Sequence, residues 1–357
     1  MNVLYLGHYR EQSGFGYSSK RIAHALSLDE KVNLSIRPIY LQTDFLDRGI
    51  DPKLLELEKN KSDRYHCVIQ DTLPDFYEYN SGFGKNIAIV RIATRHLSHT
   101  GWIEKINMMD EIWVGSFFVE KVLRESGVHR KIKVTPEPFN ITTIENQIAP
   151  KQDDEFYFYS MSSFDAKDNL LGLLIAYLSE FSINDNARLI IKLDNNNEQM
   201  IKNTINNAYE ISRKNKNNTK EPIFILGHID EHKKNELHNN ADCYVDVSFC
   251  SYNAASCIEA MLYNNVCICT EKTANACFVT VNNGLNVKSV ESEVISNHMY
   301  GSSNVFTINE TWRKPDLIDI KNKMRQAYDL NQEEKTYKLH HIDKSIFDAN
   351  NFSRYLK

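Results

Sequence analysis

The stretch EFYFYSMSSFDAKDNLLGLLIAYLSEF, residues 155–181, decides the fold. EFYFYSMSS is a short run rich in aromatic residues that reads as a buried strand, and NLLGLLIAYLSEF carries the apolar spacing of a helix. Between them SSFDAKDN is polar and hydroxyl-rich, a loop that delivers the chain from the end of a strand to the start of a helix. Strand, loop and helix in that order make one repeat of a parallel α/β sheet.

The same alternation continues towards the C-terminus. ARLIIKLD reads as a strand, EQMIKNTINNAYEISRKN as a helix, EPIFILGHI as a strand and KNELHNNA as a helix; CYVDVSF, ASCIEAMLYNN and VCICT then give strand, helix and strand. Towards the N-terminus there is a second series. NVLYLG, LSIRPIYL, RYHCVIQ, NIAIVRIAT and DEIWVGS read as strands, with helices predicted over SSKRIAHALSL, near TGWIEKINMM and over SFFVEKVLRESGV. Ser116 is positioned to cap the last of these and Gly127 to stop it. KIKVTPEPFN closes this series, because Pro136 and Pro138 forbid helix and central strand. ITTIENQIAPKQDDE, residues 141–155, is polar, contains Pro150 and has no strong period, so it reads as a hinge. Two α/β domains are therefore expected, each with a parallel sheet covered on both faces.

Bulk properties agree. A chain of 357 residues has the length of two domains, and 42% hydrophobic with 25% charged residues is an ordinary globular composition. A net charge of -5 supplies no basic field for nucleic acid. No run approaches the roughly eighteen apolar residues of a membrane span, and MNVLYLGHYR turns polar too early for a signal peptide, so the expected setting is the cytoplasm, with room for a peripheral membrane contact. Six of the seven cysteines fall between Cys243 and Cys277. They lie in apolar runs without CxxC spacing, which points to small core hydrophobes and away from a metal site.

Ligands of open parallel sheets bind beyond the carboxyl ends of the strands, so four loops are the places to search. In GHYREQSGFGYSSK, Gly14 and Gly16 allow close backbone approach to a ligand ahead of a helix N-terminus; they equally suit a plain turn. In SSFDAKDN, Lys167 stands beside a helix N-terminus, where a bound anion would bridge the two, or where it is simply solvated. In CSYNAASCIEAML, the small residues Ala254 and Ala255 leave room for a phosphate at a helix start. Glu259 follows among apolar neighbours as a candidate partner for the two hydroxyls of a ribose. TEKTANACFVTVNNGLNV, residues 270–287, offers hydrogen-bonding groups to a sugar or phosphate, or is a surface connection.

SGFGYSSKRIAHAL, DEIWVGSFFVEKVLRESGV, SSFDAKDNLLGLLIAY, ILGHI with NNADCYVDVS, and SCIEAMLYNNVCICT together resemble the family 4 glycosyltransferases (glycosyl transferases group 1) and their relatives, over nearly the whole chain. The resemblance implies an α/β GT-B fold, two doubly wound parallel-sheet domains facing a central cleft. Residues 1–145 would be an acceptor-side domain, 146–335 the nucleotide-sugar donor domain, and 336–357 a helical tail returning to the first domain. It further implies a nucleoside-diphosphate sugar as co-substrate with no other cofactor, no required metal, and retaining transfer to a carbohydrate, lipid-linked or protein acceptor. The donor motif is degenerate. Glu259 matches the second Glu of the family's Glu-x7-Glu motif, implying ribose binding, while Ser251 occupies the first position. Ser163 stands at the position of the family's Arg, and Lys167 is either its displaced Lys or a neighbour, since Asp168 holds the strict slot. Gly14 and Gly16 match the N-terminal glycine loop. Gly227, Ala254, Ala255 and Asn275 fall in donor-site loops. Arg95, His96 and His99, after a strand of the first half, are the expected acceptor-side catalytic groups. His8, Arg10 and Arg91 are further candidates for the missing positive charge.

Three alternatives stand beside this reading: a catalytically weakened protein of the same fold that binds a nucleotide sugar or a partner transferase, a UDP-N-acetylhexosamine 2-epimerase, and a DNA-modifying glucosyltransferase. The acidic balance counts against the last.

Overall fold

The computed structural model describes residues 1–41, 50–98, 100–194, 197–295, 299–300, 303–307, 309–332 and 342–357. The chain forms two compact units, Met1–Ile141 with Glu293–Thr311 and Asp343–Lys357, and Thr142–Ser292 with Trp312–Ile342.

In the first unit six strands, β1 (Asn2–Gly7), β2 (Asn33–Pro38), β3 (Cys67–Asp71), β4 (Asn86–Val90), β5 (Glu111–Val114) and β6 (Lys131–Val134), form one sheet in the order β2-β1-β3-β4-β5-β6. Every pairing is parallel. β3, β4 and β5 are buried along their whole length, as central strands of a parallel sheet covered on both faces are. The helices are α1 (Gly14–Ser27), α2 (Pro52–Lys59), α3 (Thr100–Met108) and α4 (Phe117–Glu125). Ser116 caps α4 by accepting from the Val119 amide, Phe118, Val119, Val122 and Leu123 form its buried face, and Gly127 turns the chain away at φ +97°.

The second unit repeats the design with β7 (Phe156–Ser162), β8 (Ala187–Leu193), β9 (Ile223–Leu226), β10 (Cys243–Asp246), β11 (Val266–Thr270) and β12 (Gly284–Val287), in the order β12-β11-β10-β7-β8-β9. All neighbours are again parallel. α5 (Ile141–Gln147) leads into this unit, followed by α6 (Leu170–Glu180), α7 (Glu198–Ser212), α8 (Glu231–Asn240), α9 (Ala255–Leu262) and α10 (Leu317–Gln332). Phe156, Phe158, Leu173, Leu174, Tyr177 and Phe181, all from the strand-loop-helix stretch 155–181, lie in its core. The expected pair of parallel-sheet α/β domains is what the structure shows.

Four features differ from the sequence-based expectation. Residues 141–155 are not a bare hinge: α5 occupies their start, and the Gln147 carbonyl and side chain accept from Asn239, Asn235 and Tyr263, which fastens the segment to α8 and α9. A polar helix held by polar partners leaves no apolar period to detect. α2 and α10 carry no clear period either, since their apolar faces are short and interrupted by charge. The loop 270–287 ends in a sheet strand, β12. Finally, Glu293–Thr311, expected in the second domain, packs with the first unit, to which Asp343–Lys357, the segment expected to return to the first domain, also belongs. The latter forms 3-10 turns at Lys344–Ile346 and Ala349–Leu356; Phe352 sits edge-on to Trp113 at 5.9 Å, and Ala349, Phe352 and Leu356 join the core of α1 and β1.

Cys67, Cys243, Cys250, Cys257, Cys267 and Cys269 are free and buried. Burial pushes the Cys67 thiol up to about 11, so these groups behave as core hydrophobes. Among the described residues no helix is long and apolar enough to cross a membrane.

Candidate functional site

Each sheet has one point where successive strands run off in opposite directions, and a crevice opens there beyond the strand ends. In the second unit that point lies between β7 and β10. The loop after β7 is pinned to the loop after β10 by a 2.7 Å hydrogen bond from the Phe249 amide to the Lys167 carbonyl and a 3.0 Å bond from Asn169 Nδ2 to the Val247 carbonyl. Ser163, Lys167, Ser251, Ala254, Ala255 and Glu259 all belong to these two loops or the helix that follows. Tertiary structure thus brings together residues that are far apart along the chain.

Within the first loop a 3-10 turn, Ala166–Asp168, places Lys167 Nζ 2.6 Å from Asp168 Oδ1, 3.6 Å from Asp165 Oδ2 and 3.3 Å from Ser163 Oγ. Burial works against the Lys167 ammonium, but the Asp168 charge more than offsets it and raises its pKa above the ordinary lysine value. Burial likewise opposes the Asp168 carboxylate, yet Lys167 and the hydroxyls of Ser162 and Ser163 hold it below its ordinary value. The lysine is charged and already paired.

The second loop joins a third. Ser251 Oγ donates to Asn275 Oδ1 at 2.9 Å, and Asn275 Nδ2 donates to Asp246 Oδ2, at the end of β10, at 2.7 Å. Most other polar groups of 270–287 serve the chain itself: Thr273 Oγ1 donates to the Thr270 carbonyl, Asn283 binds the Thr280 amide and the Phe278 carbonyl, and Asn286 donates to the Val279 carbonyl. Ala254 adopts φ +58° just before α9. Glu259 is 7% exposed on that helix, with Lys234 Nζ at 2.8 Å and His238 Nε2 at 4.0 Å. His238 in turn bonds Tyr159 at 2.7 Å and stacks on Tyr263 at 4.8 Å. Sequence reasoning misses Lys234 and His238, although their i,i+4 spacing puts both on one face of α8. Gly227, after β9, has φ +77° and donates its amide to the Leu193 carbonyl, so it serves a left-handed turn.

In the first unit the crevice lies between β1 and β3. His8, after β1, shares a 3.1 Å hydrogen bond with Thr72 and faces Glu11 at 3.4 Å; His8 and Glu11 are fully buried. Arg91 forms a bidentate pair with Asp71 at the end of β3 and donates to Ser18 at 3.0 Å, while Ser18 donates to Glu137 at 2.6 Å. Arg10 is likewise held by Glu58 at 2.7 and 2.5 Å. Gly14 and Gly16 open α1 behind the cap Ser13. A Cβ on Gly16 would collide with the Glu11 carbonyl, so the close approach it permits is to the chain's own backbone; around Gly14 the space is open. His96 Nε2 bonds the Asn309 carbonyl at 2.6 Å and the Arg95 amide donates to the Thr311 carbonyl at 2.9 Å, tying Glu293–Thr311 to this unit. His99 lies outside the described residues.

Two parallel-sheet α/β domains with these strand orders define the class, the GT-B fold. Comparison with solved structures agrees. The chain superimposes over 100% of its length on 97% of a sucrose-phosphate synthase from Thermosynechococcus elongatus (TM-score 0.70, 12% identity). It likewise matches, over 100% of its length, 98% of Anabaena HepE in complex with UDP and glucose (TM-score 0.64, 11% identity). Over 99% of its length it matches 96% of a glycosyltransferase from Rickettsia africae (TM-score 0.67, 12% identity). At such identities the likeness concerns the fold. No protein-family model and no curated protein matches the chain.

Proposed function

We propose that this protein is a cytoplasmic glycosyltransferase that moves a sugar from a nucleoside-diphosphate sugar to a hydroxyl of a glycan, lipid-linked or protein acceptor, with retention and without a metal or other cofactor. The observation that carries the proposal is the convergence of Ser163, Lys167, Ser251, Ala254, Glu259 and Asn275 on the switch point of the second sheet. In this reading Glu259 accepts the ribose hydroxyls, Lys167 faces the diphosphate, and Ser251 with Asn275 faces the sugar. The bond from the anomeric carbon to the diphosphate oxygen breaks, the acceptor oxygen takes its place on the same face, and the acceptor proton leaves with the diphosphate. Protein groups act by stabilising the charge that develops on that leaving group. Arg95, His96 and His99 are assigned to the acceptor side. Solved structures of the same fold held with UDP and glucose, or with UDP-2-fluoro glucose, support a nucleotide-sugar donor. Seven free thiols fit a reducing compartment.

One observation favours a second reading, a protein that binds the donor and turns it over weakly: Ser163 brings no charge, and the charge of Lys167 is already matched by Asp168. A thermal-shift screen against UDP-, GDP-, ADP- and CMP-sugars tests the first claim, since a bound donor raises the melting temperature by mass action. Stabilisation by one base class is the expected result. No stabilisation by any of them rejects the donor assignment, and binding without transfer or hydrolysis selects the second reading.

A further inference from the structure

The loop after β7 already grips an anion, and the anion is its own. Asp168 Oδ2 accepts from Ser162 Oγ at 2.8 Å, the Ser163 amide at 2.9 Å and the Asp165 amide at 3.1 Å, and lies 2.8 Å from Ser163 Oγ; Oδ1 takes the Lys167 ammonium at 2.6 Å. Backbone amides, hydroxyls and one cation converging on a single group of oxygens are the donor set that phosphate sites use. Both charged side chains are largely shielded, Lys167 being 14% exposed and Asp168 12%. The same self-satisfaction recurs nearby: Lys192, one residue from the end of β8, pairs with Asp194, and Lys234 pairs with Glu231 and Glu259. A diphosphate arriving at this loop meets paired cations and the fixed negative charges of Asp165 and Asp168.

We propose that the Asp168 carboxylate is a built-in competitor for phosphate at this loop, occupying the donors that would hold a diphosphate and thereby setting the affinity of the second unit for nucleoside diphosphates. The proposal rests on the donor reading above. Binding then requires Lys167 and the Ser163 hydroxyl to exchange one anion for another, so affinity is the difference between two similar interactions.

The test is calorimetric titration of the full chain with inorganic pyrophosphate, and separately with UDP, GDP and ADP, for the wild type, Asp168→Asn, Asp168→Ser and the double variant Asp168→Asn with Lys167→Ala. Removing one like charge beside the ligand should tighten pyrophosphate about tenfold or more in both single variants. The double variant should lose that gain, because the freed ammonium is what captures the ligand. Unchanged or weaker pyrophosphate binding in single variants that still melt cooperatively overturns the proposal; if one of them does not fold, the other decides. Wild-type nucleotide binding without a gain on substitution leaves the donor reading standing and the Asp168 proposal refuted. A pyrophosphate gain with no nucleoside diphosphate bound by any form refutes the donor reading and, with it, the claim that Asp168 sets nucleotide affinity, leaving Asp168 a competitor for phosphate alone.

Discussion

Glu259 and Glu111 show how differently two buried carboxylates are placed. Glu259 sits at the candidate site facing Lys234 and His238 of α8. Glu259→Gln is expected to weaken nucleotide binding by about 1–3 kcal/mol, the scale of a charge-assisted hydrogen bond; equal affinities of variant and wild type by calorimetry would remove the ribose assignment. Glu111, at the opposite end of β5 from the first unit's ligand-facing edge, is surrounded by Lys85, Lys131, Lys133 and the Trp113 indole N–H. Burial alone would raise its pKa, but the Trp113 and lysine hydrogen bonds outweigh burial and bring it from 4.5 to about 2. A depressed carboxylate stabilises the fold fully above its unfolded value and loses that contribution as pH falls through the folded one. Between pH 4.5 and 2 the urea midpoint of the wild type should therefore fall more steeply than that of Glu111→Gln. Parallel pH profiles would show that the lysine cage does not act in this way. Neither partner set was legible in sequence. Lys85 precedes β4 and Lys131 opens β6, and they meet Glu111 of β5 only through parallel pairing of the three strands.

Elements were easier to read than partners. The strands of both sheets other than β6 and β12 fall within the apolar runs, and Ser116 and Gly127 bound α4 as local rules predict. What escaped were elements whose period is masked by polar residues, α2, α5 and α10, whose stability comes from docking and not from propensity. At the start of α1 the two glycines, alike in sequence, have opposite roles in packing. Gly16→Ala should destabilise the first unit by about 1–3 kcal/mol, since the obstructing atom is a backbone carbonyl that cannot swing aside. Gly14→Ala meets open space and should stay within about 0.5 kcal/mol of wild type or gain slightly. Chemical denaturation of the two variants checks this, and equal losses would contradict it.

On the scale of the whole chain, the first unit is closed by its last residues. Phe352 is 3% exposed against Trp113, Ser353 donates to Asp29 at 2.6 Å, and the Phe139 amide donates to the Phe347 carbonyl at 2.7 Å. Phe352→Ala should cost about 3–5 kcal/mol of first-unit stability, and hydrogen exchange should show lost protection in β1, α1 and β5 with β7 and α6 unaffected. Unaltered protection in β1 would show that the tail is not part of that core. By itself the sequence determined two alternating α/β series, their caps and turns, and the loops where a ligand belongs, because apolar periodicity and capping act over a few residues. Only the tertiary structure decided the strand orders that create a crevice in each sheet, the return of Glu293–Thr311 to the first unit, and the pairing of Glu259 with Lys234 and of Ser251 with Asn275. Those outcomes depend on which distant segments share a core and on each buried polar group finding a partner there, and neither can be read from neighbours along the chain.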